Sequence, residues 1–482
     1  MVPSIATPHQ LADRAVLSGI MRVFDLIFLG VVVMAARFLG KEGFGLFIFG
    51  LTLATVMVSP LLEAFVPLVT KDAARHPASV GTTVGTVIPC QLVLMFGFVL
   101  IGWASMHLLH WPMGRQHIVL TMTFALGLRA PLEVLRGAVR GLGRFDLELV
   151  TIVVERCAIL ASAVATLWLG GGPLSLTMCF IGTRLLGVVV AFQLLQRIGH
   201  PLRWHWQGWS RLLAEAMPYS LTKWLYSGYD QASLLCLALL WNDAVAGTYS
   251  AAWRLVDGAS TIPQILVFVL LPELSARHGL ASTKVAPLVR QTTSYVAMIA
   301  LVLAAVFVIE GPWMIKVIYG SGYAATVMPF QILAVGILFA FTTEIARVAL
   351  WAIDRQRTAL AVMGAGLAVN VGCNLLLIPR YGALGAAMAT VVSGVTVALM
   401  MWRVLARIGI HWPWRGATLK PALVALAISG VLWSLQTMPW PVRVMGGVLT
   451  VLVALFATKA MTPAEWALLW SLPGRLIPRA SR

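Results

Sequence analysis

Charge is what this sequence has least of. Asp, Glu, Lys and Arg make up 11% of its 482 residues, and only 18 positions are acidic. A soluble chain carries about a quarter charged residues, so a soluble globular fold is excluded. Cysteine is sparse as well. Cys90, Cys157, Cys179, Cys236 and Cys373 stand singly inside apolar runs, with no CxxC spacing, which leaves neither a disulfide framework nor a thiolate metal site. The nine histidines form no ligand cluster, and neither HExxH nor a Walker A loop occurs. No metal and no other cofactor is implied. The opening MVPSIATPHQLADR has no basic stretch before a short apolar core, so it reads as the approach to an anchoring first helix. No long polar loop could house a catalytic domain, which argues against an enzyme.

What fills the chain instead is apolar: 60% of the residues. Runs of roughly 20 residues rich in Leu, Val and Ala recur along its length, the mark of membrane-spanning helices. Barrel strands alternate polar and apolar over about 10 residues, and these runs do not. The fold class is all-α and polytopic. Fourteen spans are expected, near 16–38, 44–69, 82–107, 117–139, 147–169, 174–198, 217–240, 245–272, 287–310, 325–350, 358–378, 382–405, 419–437 and 442–460. The formal charge of +17 then marks cytoplasmic loops rather than nucleic-acid binding. Lys71, Arg75, Arg140, Arg144, Arg203, Lys284, Arg355, Arg357, Arg403, Arg407, Arg415 and the tail arginines fall on one side. The few at the other side are Arg37, Lys41, Arg115, Lys316, Arg380 and Arg443. This bias puts the N-terminus in the cytoplasm, and an even span number puts the C-terminus there too.

The stretch PLEVLRGAVRGLGRF at 131–145 shows the internal plan. Glu133, Arg136, Ala138 and Arg144 recur as Glu344, Arg347, Ala349 and Arg355 without a gap. Gly45 and the Ala74-Arg75-His76 block match Gly247 and Ala276-Arg277-His278, and Leu195, Arg197, Ile198 and Gly199 match Leu405, Arg407, Ile408 and Gly409. Three blocks in one order at nearly one offset predict two six-helix lobes. Six is even, so the repeat is parallel, with its pseudo-two-fold axis along the membrane normal. The expected domains are an N-lobe at 1–200, an interfacial linker helix at 201–216, a C-lobe at 217–410, and a final helix pair with a basic tail at 411–482. The linker is assigned to the interface because RWHWQGWSRLLAEAM sets three tryptophans and two arginines on a short amphipathic run.

Charges at membrane depth carry the functional argument, because each must face the bundle interior or water. At 1.5 Å per residue Arg184 and Arg254 lie about 15 Å from the outer end, with Arg156 as deep from the inner side. Arg22 and Lys223 lie closer to the surface, and Arg129 in the inner half of its span. Arg22 shares a helix face with Asp25, Arg254 with Asp257, Arg129 with Glu133, and Lys223 with Asp230 two turns on. Two readings stand side by side: structural ion pairs between helices, or a cavity whose basic walls hold an anionic head group. Under the second, Arg22, Arg254, Lys223, Arg184 and Arg129 bind substrate, and Asp25, Asp257, Asp230 and Glu133 couple ions or hold the cations in place. Paired prolines, Pro60 and Pro67 in span 2 and Pro263 and Pro272 in span 8, suggest bends in both halves. Asn370 and Asn374, one turn apart in span 11, suit inter-helix hydrogen bonding.

Several motifs together resemble the MOP flippase superfamily, and within it the polysaccharide-transporter branch, the Wzx-like flippases of O-antigen and exopolysaccharide repeat units. They are Arg22-Val-Phe-Asp25 leading to RFLGKEGFG at 37–45, RGAVRGLGRF at 136–145, NDAVAGTYSAAWR at 242–254 continuing to Leu271-Pro-Glu-Leu-Ser275, and PRYGALGA at 379–386. The resemblance covers spans 1–12. It implies two six-helix lobes in a V around a cavity open to one side at a time. It implies an undecaprenyl-diphosphate-linked oligosaccharide moved to the outer leaflet of the bacterial inner membrane and coupled to a proton or sodium gradient. Arg22, Arg254 and Lys223 would hold the diphosphate; membrane lipids, a polysaccharide polymerase and glycosyltransferases would be partners. Lipid II flippases, MATE-type drug exporters and a non-transporting scaffold of a polysaccharide-assembly complex are the alternatives.

Overall fold

A computed structural model of the chain describes residues 8–62, 64–264 and 282–457, with side chains for 27–62, 64–264 and 286–453. Every described element is helical. The helices are α1 (Pro8–Leu62), α2 (Val66–Arg75), α3 (Val80–Leu108), α4 (Met113–Gly127), α5 (Arg129–Gly141), α6 (Phe145–Trp168) and α7 (Pro173–Arg197). After a linker come α8 (Trp209–Leu240), α9 (Asp243–Ala259), α10 (Ser282–Tyr319), α11 (Val327–Ala352), α12 (Gln356–Tyr381), α13 (Ala383–Ala406), α14 (Lys420–Ser434) and α15 (Trp440–Ala457). Among the described residues, 10 stretches are long and apolar enough to cross a membrane, and Trp440–Val453 is a shorter apolar helix. That total takes Ile27–Arg75 as one stretch, although Gly40, at φ 67°, breaks the helical path inside it. The helices α8 and α9 fall outside the 10. They carry Lys223, Asp230, Arg254 and Asp257, so charge dilutes their apolar character.

Two expected single spans are broken. The second span stops at Leu62 and resumes at Val66, with Pro67 in the first turn of α2. Proline has no N–H to give and clashes with the carbonyl four residues back, so it starts a helix more readily than it continues one. The fourth span divides at Leu128, between α4 and α5. Pro263 lies in a helical turn, and Pro272 falls outside the described residues.

The linker differs from expectation. No separate interfacial helix forms over 201–216. Residues 201–206 are non-helical, and the helix starting at Trp209 runs straight into the seventh span. The reason is an alternative set of partners. The Arg203 N–H donates to Gly81 O at 3.1 Å and the His205 N–H to Gly85 O at 3.3 Å. A Cβ on Gly81 would sit 2.2 Å from Pro201 O, and one on Gly85 2.2 Å from Arg203 O. Only a face of α3 bare of side chains accepts the linker so closely. A bulky residue there must push the strand away, so Gly85→Leu should cost about 1–3 kcal/mol. A lower melting midpoint in detergent checks this, with Gly97→Leu, where an added Cβ meets nothing within 4 Å, as the silent control.

The chain packs as two compact units. One comprises Met1–Thr261, Ile315–Pro329 and Leu360–Thr396, and the other Ile262–Met314, Phe330–Ala359 and Val397–Arg482. The first unit thus draws on both expected lobes. Its core includes Phe44, Phe47, Phe49, Phe65, Phe180 and Met122, all buried. In the second unit the final helix pair packs on α10: Val424, Ile428 and Leu432 meet Met298 and Ala305. The same pair is pinned near the start of α15, where Arg443 Nη1 donates to Glu310 Oε2 at 2.7 Å. The Arg443 guanidinium also lies over the Trp313 ring, which stacks on Trp440.

Candidate functional site

The most heavily charged part of the first unit is built by the motif at 131–145. Arg129 donates to Glu133 at 3.2 Å, and Glu133 also receives Arg136 Nη1 at 3.2 Å. Arg136 reaches across to α6, where Nη2 meets Glu155 Oε2 at 2.6 Å and Nε meets Thr151 Oγ1 at 3.0 Å. The other oxygen of Glu155 pairs with Arg184 of α7. A second link joins Arg140 Nε to Glu148 at 3.0 Å. Glu155, Arg136, Arg184 and Glu148 are all under 4% exposed, so the low dielectric strengthens each pair and penalises any broken one. Three helices are clamped by one connected set of charges. Just outside it, Arg144 donates to Asp146 at 2.9 Å, and that hydrogen bond holds the Arg144 guanidinium above its ordinary value.

The duplicated pair forms again in the second unit. Glu344 and Arg347 make the same contact three residues apart. There the guanidinium lies 4.3 Å from the Trp351 ring centre, and 18% of the Arg347 side chain stays exposed. One copy of the motif feeds a buried charge set, and the other leans on an aromatic face.

Arg254 stands apart from these sets. It lies on α9 and is half-buried, and its Nε is buried with no hydrogen-bond partner among the described residues. Asp257, one turn on, is exposed. The Tyr319 hydroxyl donates to Ala251 O at 3.0 Å, placing a polar ring beside the same stretch of α9. On α8, Lys223 is half-buried and Asp230 exposed. Arg22 and Asp25 sit on the helical backbone of α1, but their side chains lie outside the described residues. Of the residues singled out from sequence, the structure brings together Arg129, Glu133 and Arg184 through Arg136 and Glu155. It keeps Arg254 and Asp257 on a different helix. No group of three or more His, Cys, Asp or Glu converges among the described residues.

A fold of long apolar helices with arginines at depth now meets its relatives. The family described as "Lipid II flippase MurJ" matches residues 149–458, and the family described as "Polysaccharide biosynthesis protein" matches residues 12–277. The chain belongs to the MOP flippase superfamily. This MOP flippase is therefore a multi-pass membrane transporter and not an enzyme. It is similar to an uncharacterised membrane protein of Methanocaldococcus jannaschii, 21% identical over 397 residues, covering 78% of this chain and 93% of that protein. Among solved structures it resembles the lipid II flippase MurJ in an inward closed conformation, with TM-score 0.72, 13% identity, and coverage of 92% of this chain and 97% of that one. It also resembles an inward-facing MATE-family multidrug transporter of the MOP superfamily, with TM-score 0.69 and 13% identity over 82% of this chain and 98% of that one. Against an outward-facing MATE transporter the TM-score is 0.61 at 12% identity, covering 82% of this chain and 95% of that one. At such identities the likeness is one of fold.

The MOP flippase holds the inter-helix hydrogen bonding expected of Asn370 and Asn374, and a second polar grouping besides. Asn370 Nδ2 donates to Ser393 Oγ at 2.9 Å, Asn374 Nδ2 donates to Ser233 Oγ at 3.0 Å, and Thr390 lies 2.9 Å from both Ser233 and the Tyr249 hydroxyl. The asparagines were visible in the sequence. Their hydroxyl partners were not, since single Ser and Thr residues in an apolar run give no periodic signal. The other grouping is Arg115 with Asp243, both short-loop charges in the sequence, joined here by Arg115 Nη2 to Asp243 Oδ1 at 2.6 Å.

Proposed function

We propose that the protein flips an anionic lipid-linked oligosaccharide, an undecaprenyl-diphosphate-linked repeat unit, from the inner to the outer leaflet of the cytoplasmic membrane. It does so by alternating access, driven by a proton or sodium gradient, and supplies surface-polysaccharide assembly by polymerase and glycosyltransferases. The observation that carries this reading is Arg254, whose Nε is buried and has no hydrogen-bond partner among the described residues. A guanidinium left with an open donor suits a diphosphate, which accepts its fork in two parallel bonds. Arg22, near the start of the other half, and Lys223 are proposed as the remaining diphosphate contacts. Asp25, Asp230 and Asp257 are proposed to orient these cations or to carry the coupling ion. Arg129, Arg184 and Glu133 are proposed to serve the helix clamp instead, because they are joined within it through Arg136 and Glu155.

Deleting the gene should leave lipid-linked repeat units accumulating on the cytoplasmic face of the membrane, as read by radiolabelled lipid extraction from intact and inverted vesicles. A second reading, export of lipid II, is favoured by the match to the lipid II flippase family over 149–458. The same extraction separates the two, because the retained lipid then carries a peptidoglycan precursor rather than a polysaccharide repeat. The topology that goes with either reading puts both termini in the cytoplasm. Reporter fusions after Arg144 and Arg482 should report cytoplasm and one after Gly171 periplasm. A periplasmic signal at Arg482 would overturn the even span number.

A further inference from the structure

One set of contacts in the first unit obeys the internal duplication residue for residue. The expected repeat relates Gly45 to Gly247 by 202 positions, and the same step relates Lys41 to Asp243. A Cβ on Gly45 would lie 1.8 Å from Asp243 O, and a Cβ on Gly247 would lie 2.6 Å from Lys41 O. Each glycine thus presses on the carbonyl that is the mate of the one pressed by the other. A neighbouring pair repeats the pattern. The Tyr323 hydroxyl donates to Ala36 O at 2.8 Å, and Arg115 Nη2 donates to Ala238 O at 3.4 Å. Ala36 and Ala238 are again 202 apart, while their partners Arg115 and Tyr323 are 208 apart and correspond by place only, Arg115 in the first turn of α4 and Tyr323 just ahead of α11. Residue i touching j while the mate of j touches the mate of i is the signature of a self-complementary interface about a two-fold axis.

All these residues sit at helix ends that the lysine and arginine bias assigns to the outside. The symmetry fails in two places. Arg115 makes a bidentate pair with Asp243, at 3.1 Å through Nε and 2.6 Å through Nη2. Across the crossing Lys41 is the mate of Asp243, and Tyr323, the counterpart of Arg115 by place only, packs edge-to-face with Phe44. Arg37 adds two unmirrored bonds, donating from Nε to Ile318 O at 2.6 Å and from Nη2 to Val317 O.

We propose that this reciprocal crossing is the closed outer gate of the transporter, held by glycine-to-carbonyl contact on both sides of the pseudo-two-fold axis and latched by one ion pair, Arg115–Asp243. The proposal rests on the transporter reading above. It adds which atoms part when the outer side opens, and it makes the strength of one charge pair set how often that happens. Glycine is required at 45 and 247 because the two backbones touch, and any Cβ must drive the helix ends apart. The pair is only about a fifth exposed on each side. It is dry enough to matter and still reachable by water when the ends separate.

The test is thiol accessibility on a background with the five native cysteines replaced. Asp257→Cys serves as the reporter, and a membrane-impermeant maleimide is added to either face of intact or inverted vesicles. With the gate intact, the reporter should label from the cytoplasmic face and be protected from the outside. Arg115→Gln or Asp243→Asn should raise outside labelling about tenfold or more, the scale of losing a charge-assisted bond. The double variant should label no faster than the leakier single, because both act through one pair. Gly45→Ala and Gly247→Ala should each open the outer side as well. Outside labelling unchanged in Arg115→Gln and Asp243→Asn overturns the latch, and so does a double variant in which the two effects simply multiply. A reporter that labels from neither face in any variant overturns the underlying cavity reading instead.

Discussion

Arg254→Ala is expected to abolish export of the lipid-linked substrate while leaving the amount of protein in the membrane unchanged. The Arg254 Nε has no hydrogen-bond partner among the described residues, so no hydrogen bond from that atom holds α9. The loss should fall on substrate instead. One charge-assisted contact to a diphosphate is worth about 1.5–3 kcal/mol, or roughly 10- to 100-fold in affinity. Lysine at this position should rescue only in part, since it keeps the charge and loses the planar fork. The competing expectation is that Arg254 exists to neutralise Asp257. Arg254→Ala alone would then lower protein abundance, and adding Asp257→Ala would restore both abundance and export. A well-expressed, active double variant would remove Arg254 from the substrate site. Uptake of labelled precursor into surface polysaccharide, set against immunoblotted protein in the same membranes, reads both quantities at once.

Glu155→Ala is expected to do the opposite, emptying the membrane of protein before transport can be asked about. Glu155 is fully buried and joins Arg136 to Arg184. Its removal leaves Arg184 without its carboxylate and Arg136 with Glu133 alone, between packed helices. Breaking a buried pair by deleting one partner costs about 3–5 kcal/mol, a large share of a typical folding free energy. Glu155→Gln should fare little better, because the amide keeps the shape and loses the charge. Glu155→Leu together with Arg184→Leu should recover part of the loss, since an apolar pair of similar volume avoids the desolvation cost altogether. Removing the acid of the second copy of the motif, Glu344→Ala, where Glu344 is the mate of Glu133, should be mild: Arg347 keeps its contact with Trp351 and its partial exposure. Steady-state abundance and melting in detergent decide the matter. A Glu155→Ala protein that accumulates and melts like the parent would show that the clamp is not structural.

The helices were legible in the sequence because each apolar run is far longer than a chance cluster, and Gly, Pro and Asn mark the gaps. The doubled acid–arginine motif was legible because three-residue spacing on a helix puts both groups on one face, and both copies do pair. What crosses from helix to helix was not. Arg184 has no acid in its own helix and finds Glu155 in another. Glu155 stands next to Arg156 in the sequence, yet its carboxylate turns to Arg136 and Arg184 on two other helices. The linker misled because amphipathic spacing at 203–217 describes what a helix could do. The backbone hydrogen bonds to Gly81 and Gly85 describe what an available neighbour makes better. Arg115 looked like one more loop charge, since a sequence does not show that Asp243, 128 residues on, stands opposite it.

The pin that fastens the final helix pair also sets a problem of order during synthesis. Glu310 enters the membrane with α10, and its partner Arg443 follows 133 residues later. At 5–20 residues per second the ribosome takes on the order of ten seconds to make that stretch. For that time the side chain must remain at the head-group surface or borrow a cation from elsewhere, because an unpaired carboxylate is costly in lipid. The last hairpin therefore completes α10 as much as it extends the chain. A shortened protein ending after α13 would carry Glu310 as a permanent defect, and replacing that glutamate by leucine is the change that would make such a protein worth building.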